Sequence, residues 1–356
     1  MEFRLIGSGA TKAIYEATGK GAPSDTVFAT AKHLWQTNRL KQEFAHCQEL
    51  QAALQGKNLS VSNLALDWKE SPLKPHNKYT LEMPRASCDL EEAILDKTIG
   101  MSQRLRFCKD VTSAIATFHE GGFVHQDLKP NNFLVFTNRF SKTTKLTDFE
   151  TADRIGTHDV ALQLKGNSRY ASPENVMSQK GEVFSVALIL IRILEEAILP
   201  SFPSTSTLVP APKRALPFLQ YTPHRGVVQY LIEHPFSDRS SFTFIASFFK
   251  RVMAYLKYKM TGNELFLLSC YNKQHAIHTY IDALESKLSS QRSLPKSSTV
   301  KICELLKKMT LADPLQRPSM QEVHRFFRGE ALSYTDKLFA LFASAKDLYR
   351  TGFRFS

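Results

Sequence analysis

The sequence predicts an α+β fold in which a small, strand-rich N-terminal part precedes a larger, mainly helical part. Short apolar runs of strand length recur before residue 84, and apolar residues follow helical spacing almost throughout from Glu182 onward. The runs typical of strands are residues 3–6, 14–17, 27–32, 64–68 and 79–83. Residues 40–54, between the third and fourth of these runs, have helical spacing and predict one helix within the strand-rich part.

The helical part is interrupted twice by polar segments. A Pro-, Ser- and Thr-rich stretch at 200–217 predicts a surface loop, and residues 289–299 predict a polar linker. The segments with helical pattern on either side of this linker are 227–232, 244–258, 264–268, 277–288 and 301–309.

Composition and charge limit the classes of partner. The chain has 356 residues, of which 43% are hydrophobic, and this suffices for a sizeable core. Its formal net charge of +12 favours acidic partners. No block rich in Lys and Arg is interleaved with aromatic residues, so we expect no nucleic-acid partner. We ascribe the charge to solubility and to attraction of a nucleotide polyphosphate.

The cysteines and the apolar windows bear on the cellular environment. Five scattered cysteines without a C-x-x-C pair argue against a disulfide framework and against structural zinc. The N-terminus carries no signal sequence, and the most apolar window, residues 183–199, is interrupted by Arg192, Glu195 and Glu196. We therefore expect a cytoplasmic protein without a membrane span.

The most informative motif is His-Gln-Asp-Leu-Lys-Pro-Asn-Asn at residues 125–132, followed by Asp-Phe-Glu at 148–150. The first motif resembles the catalytic loop H-R-D-L-K-x-x-N of eukaryotic-type protein kinases, with Gln126 in place of arginine, and the second resembles their D-F-G. The resemblance implies a two-lobed protein-kinase-like fold. Its small lobe would be an antiparallel β-sheet with one helix, and its large lobe would be mainly α-helical with an insertion.

The resemblance assigns a role to each polar residue of these motifs. Asp127 would accept the proton of the substrate hydroxyl, and Lys129 would neutralise the transferring γ-phosphate. Asn132, the third implied catalytic residue, would hold Mg²⁺ together with Asp148, because this hard cation prefers oxygen ligands. A lysine two residues after the aspartate is more similar to serine/threonine kinases than to tyrosine kinases.

Two further segments resemble the ATP site of the family. Residues 7–14, Gly-Ser-Gly-Ala-Thr-Lys-Ala-Ile, resemble the G-x-G-x-x-G-x-V loop that covers the phosphates, with Lys12 in place of the third glycine. Residues 83–90 resemble the hinge, whose backbone groups bind adenine. The resemblance implies ATP contacts from Ile6, Gly7, Ser8, Gly9, Ile14, Lys32, Met83, Ala86, Leu134 and Asp148.

A lysine that binds the α- and β-phosphates is expected on the third strand, paired with a carboxylate of the following helix. Residues 29–32, Ala-Thr-Ala-Lys, loosely resemble the V-A-x-K strand, so the resemblance assigns this role to Lys32. The carboxylate remains open between alternatives. The helix pattern F-x-x-E-x-x-L places Cys47 at the glutamate position, whereas Glu43 lies one turn earlier on about the same face and Glu49 lies on a different face.

Other positions depart from the family pattern or extend it. Glu150 replaces the glycine of D-F-G and adds negative charge beside the metal site. Gln126 removes the docking point for a phosphorylated activation segment, so we expect activity that does not depend on such phosphorylation. Glu174 ends a motif similar to G-T-x-x-Y-x-A-P-E, and Arg317 lies in one similar to D-P-x-x-R-P-S, which predicts an ion pair between them. Glu182 stands where the family has aspartate at the start of a buried helix.

The resemblance implies a kinase-like domain over residues 1–330. Its small lobe would cover residues 1–83 and its large lobe residues 84–330. A helical insertion would occupy about residues 200–299 of the large lobe, because this region is longer than in a compact kinase domain. Residues 331–356 would form a C-terminal tail.

The function that follows is transfer of the γ-phosphoryl group of ATP to Ser/Thr hydroxyls of a protein substrate, with ATP and Mg²⁺ as the required small molecules. The alternative is a pseudokinase that serves as a nucleotide-binding or scaffold module. Lys12, Gln126, Glu150 and the missing helix glutamate favour that alternative. A third possibility is a kinase fold that acts on small molecules.

Overall fold

The computed structural model describes residues 2–9, 11–33, 36–54, 62, 67–70, 79–138, 141–155, 161–162, 169–174, 176–195, 264–290 and 294–329. It confirms the predicted two-lobed α+β architecture, with an antiparallel sheet and one helix followed by a mainly helical part.

The small lobe is built on a five-stranded antiparallel sheet in the spatial order β1-β2-β3-β5-β4. Its strands are β1 (Glu2–Ser8), β2 (Lys12–Thr18), β3 (Thr26–Ala31), β4 (Asp67–Glu70) and β5 (Tyr79–Pro84). Alternate residues of a strand point to the same face, so Val27, Ala29 and Ala31 together form the buried inner face of β3. The predicted strand at 64–68 overlaps β4 only at its end, and residues 63–66 lie outside the described part.

Helix α1 (Thr37–Ala53) connects this sheet to the large lobe. Leu40, Glu43, Cys47 and Leu50 recur at three- and four-residue intervals and form one buried stripe. Leu40 packs into the core of the sheet, whereas Cys47 and Leu50 join the core of the large lobe. Glu43 lies between them on this stripe, so its carboxylate is held where the two lobes meet.

Six helices of the large lobe lie within the described residues. They are α2 (Leu90–Leu95), α3 (Met101–Glu120), α4 (Gln179–Leu194), α5 (Glu264–Ser290), α6 (Lys296–Met309) and α7 (Met320–Arg328). Every residue of α4 except Lys180 is buried, as its nearly continuous apolar sequence requires, and α4 is therefore the central helix of this lobe. No helix in the described part of the chain is long and apolar enough to cross a membrane.

Short strands complete the large lobe around the catalytic motifs. They are β6 (Cys88–Asp89), β7 (Phe123–Val124), β8 (Phe133–Thr137), β9 (Lys142–Leu146), β10 (Asp153–Arg154), β11 (Ala161–Leu162) and β12 (Val176–Met177). β8 lies between β6 and β9, while β7 pairs with β10 and β11 pairs with β12.

The helix boundaries predicted for the C-terminal part of the chain differ from those in the structure in two places. The segments predicted at 264–268 and 277–288 are parts of the single helix α5. The predicted polar linker at 289–299 is shorter, because α5 continues to Ser290 and α6 already begins at Lys296. The predicted loop at 200–217, the helical segments at 227–232 and 244–258, and the tail at 331–356 lie outside the described residues.

Candidate active site

The hairpin of β8 and β9 brings the two predicted metal ligands to the same place. Phe133 pairs with Leu146, and beyond this pair the N–H of Thr147 donates to the carbonyl oxygen of Asn132 at 3.0 Å. Asn132 and Asp148 therefore lie at the same end of the hairpin, beside its two strands. The antiparallel register thus unites two residues that are well separated in the sequence.

Direct hydrogen bonds join the three predicted catalytic side chains. Nζ of Lys129 lies 2.5 Å from Oδ2 of Asp127. Nδ2 of Asn132 donates to the carbonyl oxygen of Asp127 at 2.7 Å and to its Oδ2 at 3.2 Å. Because these bonds use the amide nitrogen of Asn132, its Oδ1 is the atom left to bind a cation. Asp127 is half-buried, so its carboxylate remains accessible from outside.

Glu182, in the first turn of α4, holds the backbone of the catalytic loop. Its Oε1 accepts the N–H of His125 at 2.6 Å and that of Gln126 at 2.8 Å, and its Oε2 lies 2.8 Å from Nε2 of His119. Gln126 has a φ of 68°, a left-handed conformation that costs free energy in a residue other than glycine. The contact of Glu182 with this loop was not predicted from the sequence. A carboxylate at the start of an apolar, buried helix is the signal that indicates such buried partners.

The imidazole of His125 links the catalytic loop to the end of β9. Its Nε2 lies 2.8 Å from the carbonyl oxygen of Thr147, and its Nδ1 lies 3.4 Å from the backbone nitrogen of Asp127. A carbonyl oxygen only accepts hydrogen bonds, so Nε2 donates and Nδ1 accepts. The ring also packs edge-on against Phe149, which is fully buried.

Lys12, at the start of β2, makes the central ion pair between the lobes. Its Nζ lies 2.8 and 2.9 Å from the two carboxylate oxygens of Glu43 and 2.7 Å from Oδ1 of Asp148. The side chains of Lys12 and Glu43 are 14% and 1% exposed. Burial alone would lower the pKa of Lys12, but the two carboxylates raise it above its ordinary value. Burial also opposes ionisation of Asp148, yet the ammonium of Lys12 keeps the pKa of Asp148 below its usual range.

The structure therefore differs from the prediction for Lys32. β3 ends at Ala31, and Lys32 follows it as an exposed residue. Lys12 stands opposite Ala31 in the ladder of β2 and β3, which places both side chains on the same face of the sheet. The alternation of side chains along a strand directs Lys32 away from that face. The lysine that reaches α1 is Lys12.

Among the three residues of α1 considered as the partner of the lysine, Glu43 is the one that makes the ion pair. Glu43 bonds the ammonium of Lys12, Cys47 is buried in the core of the large lobe, and Glu49 is exposed on α1. The reason is the position of each residue on the helix. Glu43 and Cys47 share the buried stripe, but only Glu43 lies next to the sheet from which the lysine extends.

Glu150 connects the Asp-Phe-Glu segment at 148–150 with the small lobe. Its Oε2 accepts a hydrogen bond from the hydroxyl of Thr11 at 3.2 Å, and its Oε1 lies 3.2 Å from Nη1 of Arg39 on α1. Thr11 immediately precedes Lys12. Glu150, which stands where D-F-G has glycine, therefore bonds both the glycine loop and α1.

The residues predicted to surround adenine come from both lobes. Met83 is buried in the sheet core, and Ile14 packs against the same cluster. Leu134 is half-buried on β8, Ala86 is half-buried after β5, and Ile6 is 43% exposed.

The glycine loop turns the chain from β1 into β2. Gly7 and Ser8 are the last two residues of β1, and the N–H of Gly9 donates to the carbonyl oxygen of Lys12 at 2.9 Å. Without Cβ atoms, Gly7 and Gly9 allow a ligand to approach the backbone closely.

The predicted ion pair between Glu174 and Arg317 is present. The guanidinium donates two bonds to the carboxylate, 2.6 and 2.8 Å long, in the bidentate arrangement that arginine favours. Both side chains are almost fully buried. This pair ties the segment that ends at Glu174 to the C-terminal part of the large lobe.

The chemistry of the donor set fits a divalent cation bound with phosphates. The hydrogen bonds of Asn132 use its amide nitrogen, so its Oδ1 can bind a metal ion. Lys12 contacts Oδ1 of Asp148, so Oδ2 of that carboxylate can be the second ligand. Lys12 lies beside Asp148 and Lys129 beside Asp127, and ammonium groups are donors that suit phosphate oxygens. The residues present are therefore suited to Mg²⁺ and a nucleotide polyphosphate.

Comparison with known proteins identifies the family. The family model described as the protein kinase domain matches residues 1–211, more than half of the chain. A probable serine/threonine-protein kinase, gdt4 of Dictyostelium discoideum, is 30% identical over 118 residues, which are 31% of this chain and 7% of that protein. The serine/threonine-protein kinase nekl-2 of Caenorhabditis elegans is 31% identical over 111 residues, 30% of this chain and 29% of that protein.

A third relative is the human serine/threonine-protein kinase ULK1, which is 28% identical over 156 residues, 38% of this chain and 14% of that protein. The aligned part of the chain spans less than a third of the length of each of these relatives. The match of the family model over more than half of the chain agrees with the fold and with the arrangement of the catalytic loop. The chain belongs to the protein kinase domain family.

Proposed function

We propose that this chain is an active protein kinase that transfers the γ-phosphoryl group of ATP to Ser/Thr hydroxyls of protein substrates. The observation that carries the proposal is the direct bonding of Lys129 and Asn132 to Asp127, beside the hairpin end that holds Asp148. This arrangement combines a base, a cation for phosphate oxygens and two oxygen ligands for a metal.

In the proposed reaction Asp127 accepts the proton of the substrate hydroxyl as its oxygen forms a bond to the γ-phosphorus. The bond from that phosphorus to the leaving oxygen of ADP breaks in the same displacement. Lys129, whose ammonium already lies beside Asp127, stabilises the negative charge on the transferring group. Asn132 and Asp148 would hold Mg²⁺, which would neutralise charge on the phosphate oxygens.

The nucleotide surface is proposed from the same family pattern. Ile14, Met83, Leu134 and Ile6 would contact adenine, and the backbone of Ala86 would form a hydrogen bond with it. Gly7, Ser8 and Gly9 would cover the phosphates. The mixture of buried and half-buried apolar side chains from both lobes supports a flat aromatic ligand between the lobes.

Substrate class, extent and location are also proposals. Lys129 and the similarity to three serine/threonine-protein kinases support serine or threonine as the acceptor. We propose that the kinase domain covers residues 1–330, with the lobes meeting at 83–84, an insertion at 200–299 and a tail at 331–356. The thiols of Cys88, Cys108 and Cys303, of which the last two are buried, form no disulfide within the described residues, and this supports a reducing, cytoplasmic environment.

A pseudokinase is the second candidate, because two departures from the family pattern lie directly at the metal site. The ammonium of Lys12 contacts one carboxylate oxygen of Asp148, an atom that could otherwise bind the metal. Glu150 places a second carboxylate two residues after Asp148. Such a protein would bind nucleotide or partners without transferring phosphate.

The deciding experiment compares the native chain with Asp127→Asn, and Asp96→Asn serves as control because Asp96 is a partly exposed carboxylate at the end of α2. Transfer of labelled γ-phosphate from Mg·ATP to casein and to the chain itself would be measured beside the thermal shift caused by Mg·ATP. We expect Asp127→Asn to lose transfer by about a hundredfold or more, the scale of general-base catalysis, while keeping the thermal shift. Transfer by Asp127→Asn at the native rate, or none from the native chain, would overturn the proposal.

A further inference from the structure

We infer that Lys12, and not the lysine after β3, is the residue of this chain that binds the α- and β-phosphates of ATP, and that Glu43 positions it. The inference rests on the proposed function, since it assigns a residue within the same site. Its first support is the three contacts of the Lys12 ammonium, two with Glu43 and one with Asp148. They place a cation between the carboxylate of α1 and the segment that binds the metal.

The register of the sheet explains how a lysine on β2 reaches this place. Lys12 faces Ala31 across the β2–β3 ladder, and Ala29 faces Ile14 two positions further along. Cross-strand partners direct their side chains to the same face. Ala31 is 2% exposed and carries only a methyl group on that face. The small side chain at position 31 leaves the space through which the long side chain of Lys12 extends.

Lys32 has neither the direction nor the surroundings for this task. It follows the last residue of β3, its backbone N–H donates to the carbonyl oxygen of Thr11 at 3.0 Å, and it is exposed. Within the residues that the structure describes, no carboxylate pairs with its ammonium, whereas Lys12 pairs with two. A single step along the strand separates Lys32 from Ala31, and that step reverses the side-chain direction.

The charge balance of the cluster suits a site that accepts phosphate. One ammonium faces two carboxylates, and an ammonium has three N–H donors, all of which the three contacts use. The side chain of Glu43 is 1% exposed, whereas that of Asp148 is 32% exposed. The bond with Asp148 is therefore the one that Lys12 can exchange for a phosphate oxygen, while Glu43 keeps the ammonium in position.

The test separates binding of phosphates from binding of the nucleoside. Dissociation constants for Mg·ADP and for adenosine would be measured by calorimetry with the native chain, Lys12→Ala and Lys32→Ala. Adenosine lacks phosphates, so it reports adenine binding and folding alone. We expect Lys12→Ala to weaken Mg·ADP binding by about tenfold or more, the scale of a lost charge-assisted hydrogen bond, and to leave adenosine binding within about twofold. Lys32→Ala should leave both constants within about twofold.

Two further variants keep the test decisive if Lys12→Ala unfolds because Glu43 is left unpaired. Lys12→Ala combined with Glu43→Gln removes the uncompensated charge and should still lose Mg·ADP affinity selectively. Lys12→Gly combined with Ala31→Lys moves the ammonium to the opposite strand on the same face, and we expect it to recover most of the Mg·ADP affinity.

Retention of native Mg·ADP affinity in both Lys12 variants that lack a replacement lysine would overturn the inference. So would a selective loss in Lys32→Ala, or the absence of Mg·ADP binding to the native chain. The proposed function fails separately, because a chain that binds Mg·ADP through Lys12 but transfers no phosphate would leave this inference intact. Conversely, Asp127-dependent transfer with Mg·ADP affinity unchanged in Lys12→Ala would overturn the inference alone.

Discussion

The carboxylate of Glu182 accepts the backbone N–H of Gln126 at 2.8 Å, although the two residues belong to different elements. The same carboxylate accepts the N–H of His125 at 2.6 Å. It thereby holds the peptide immediately before Asp127 while Gln126 adopts a positive φ. The position of the proposed base thus depends on a buried acidic residue of the central helix, which has no contact with substrate in the proposed mechanism.

Replacing Glu182 by Ala should reduce both stability and phosphate transfer. One buried N–H group (His125) and one half-buried N–H group (Gln126) would lose their acceptor, and an unsatisfied buried group costs about 1–3 kcal/mol. Denaturant unfolding and kcat for transfer to casein measure the two effects. Glu182→Asp is the matched control, because it keeps a carboxylate and should lose less of both. A Glu182→Ala chain as stable as Glu182→Asp would contradict this role.

Replacing Glu43 by Gln should impair nucleotide binding, whereas the same change at Glu49 should not. Glu43 is buried beside Lys12, and Glu49 is exposed on the same helix. Loss of the Glu43 charge removes one of the two carboxylates that raise the pKa of Lys12, so that pKa should fall. The expected result is a loss of Mg·ADP affinity of about tenfold for Glu43→Gln only. Equal affinities of the two variants would show that Lys12 does not need Glu43.

Replacing Glu150 by Gly should lower turnover, because the carboxylate bonds Thr11 and Arg39 across the site. We expect kcat to fall by about tenfold, since small displacements of catalytic groups have costs of that order. Arg39→Ala and Thr11→Val each remove one of the two contacts and should give smaller losses. Turnover that stays the same or rises in Glu150→Gly would show that Glu150 only occupies a tolerated backbone position.

Replacing Arg317 by Met should destabilise the fold without acting directly on the catalytic residues. Breaking a buried ion pair by removing one partner costs about 3–5 kcal/mol, because the charge of Glu174 would remain buried and unpaired. Urea unfolding measures this cost, and nucleotide affinity should persist below the unfolding transition. The double variant with Glu174→Leu should be more stable than Arg317→Met alone. If the free energy of unfolding of Arg317→Met lies within about 1 kcal/mol of that of the native chain, the ion pair does not stabilise the fold.

The sequence alone determined the family and the order of the lobes, and it supplied the candidate for the catalytic loop. Residues 125–132 form a contiguous motif, so the types and spacing of Asp127, Lys129 and Asn132 are visible without a fold. The Glu174–Arg317 pair was predictable for a related reason, because each partner lies in its own recognisable motif. Helix continuity was less visible, since the two segments predicted at 264–268 and 277–288 are parts of the one helix α5.

Only the tertiary structure decided which lysine meets which carboxylate. Lys12, Glu43 and Asp148 come from three separate elements, and their meeting depends on the β2–β3 register and on the face of α1 that is buried. Side chains alternate along a strand, so successive residues point to opposite faces of the sheet. Ala31 therefore points to the buried face, and Lys32, one residue later, is exposed to solvent. The motif shows a lysine by residue type, whereas the position of the ammonium in space follows from strand pairing.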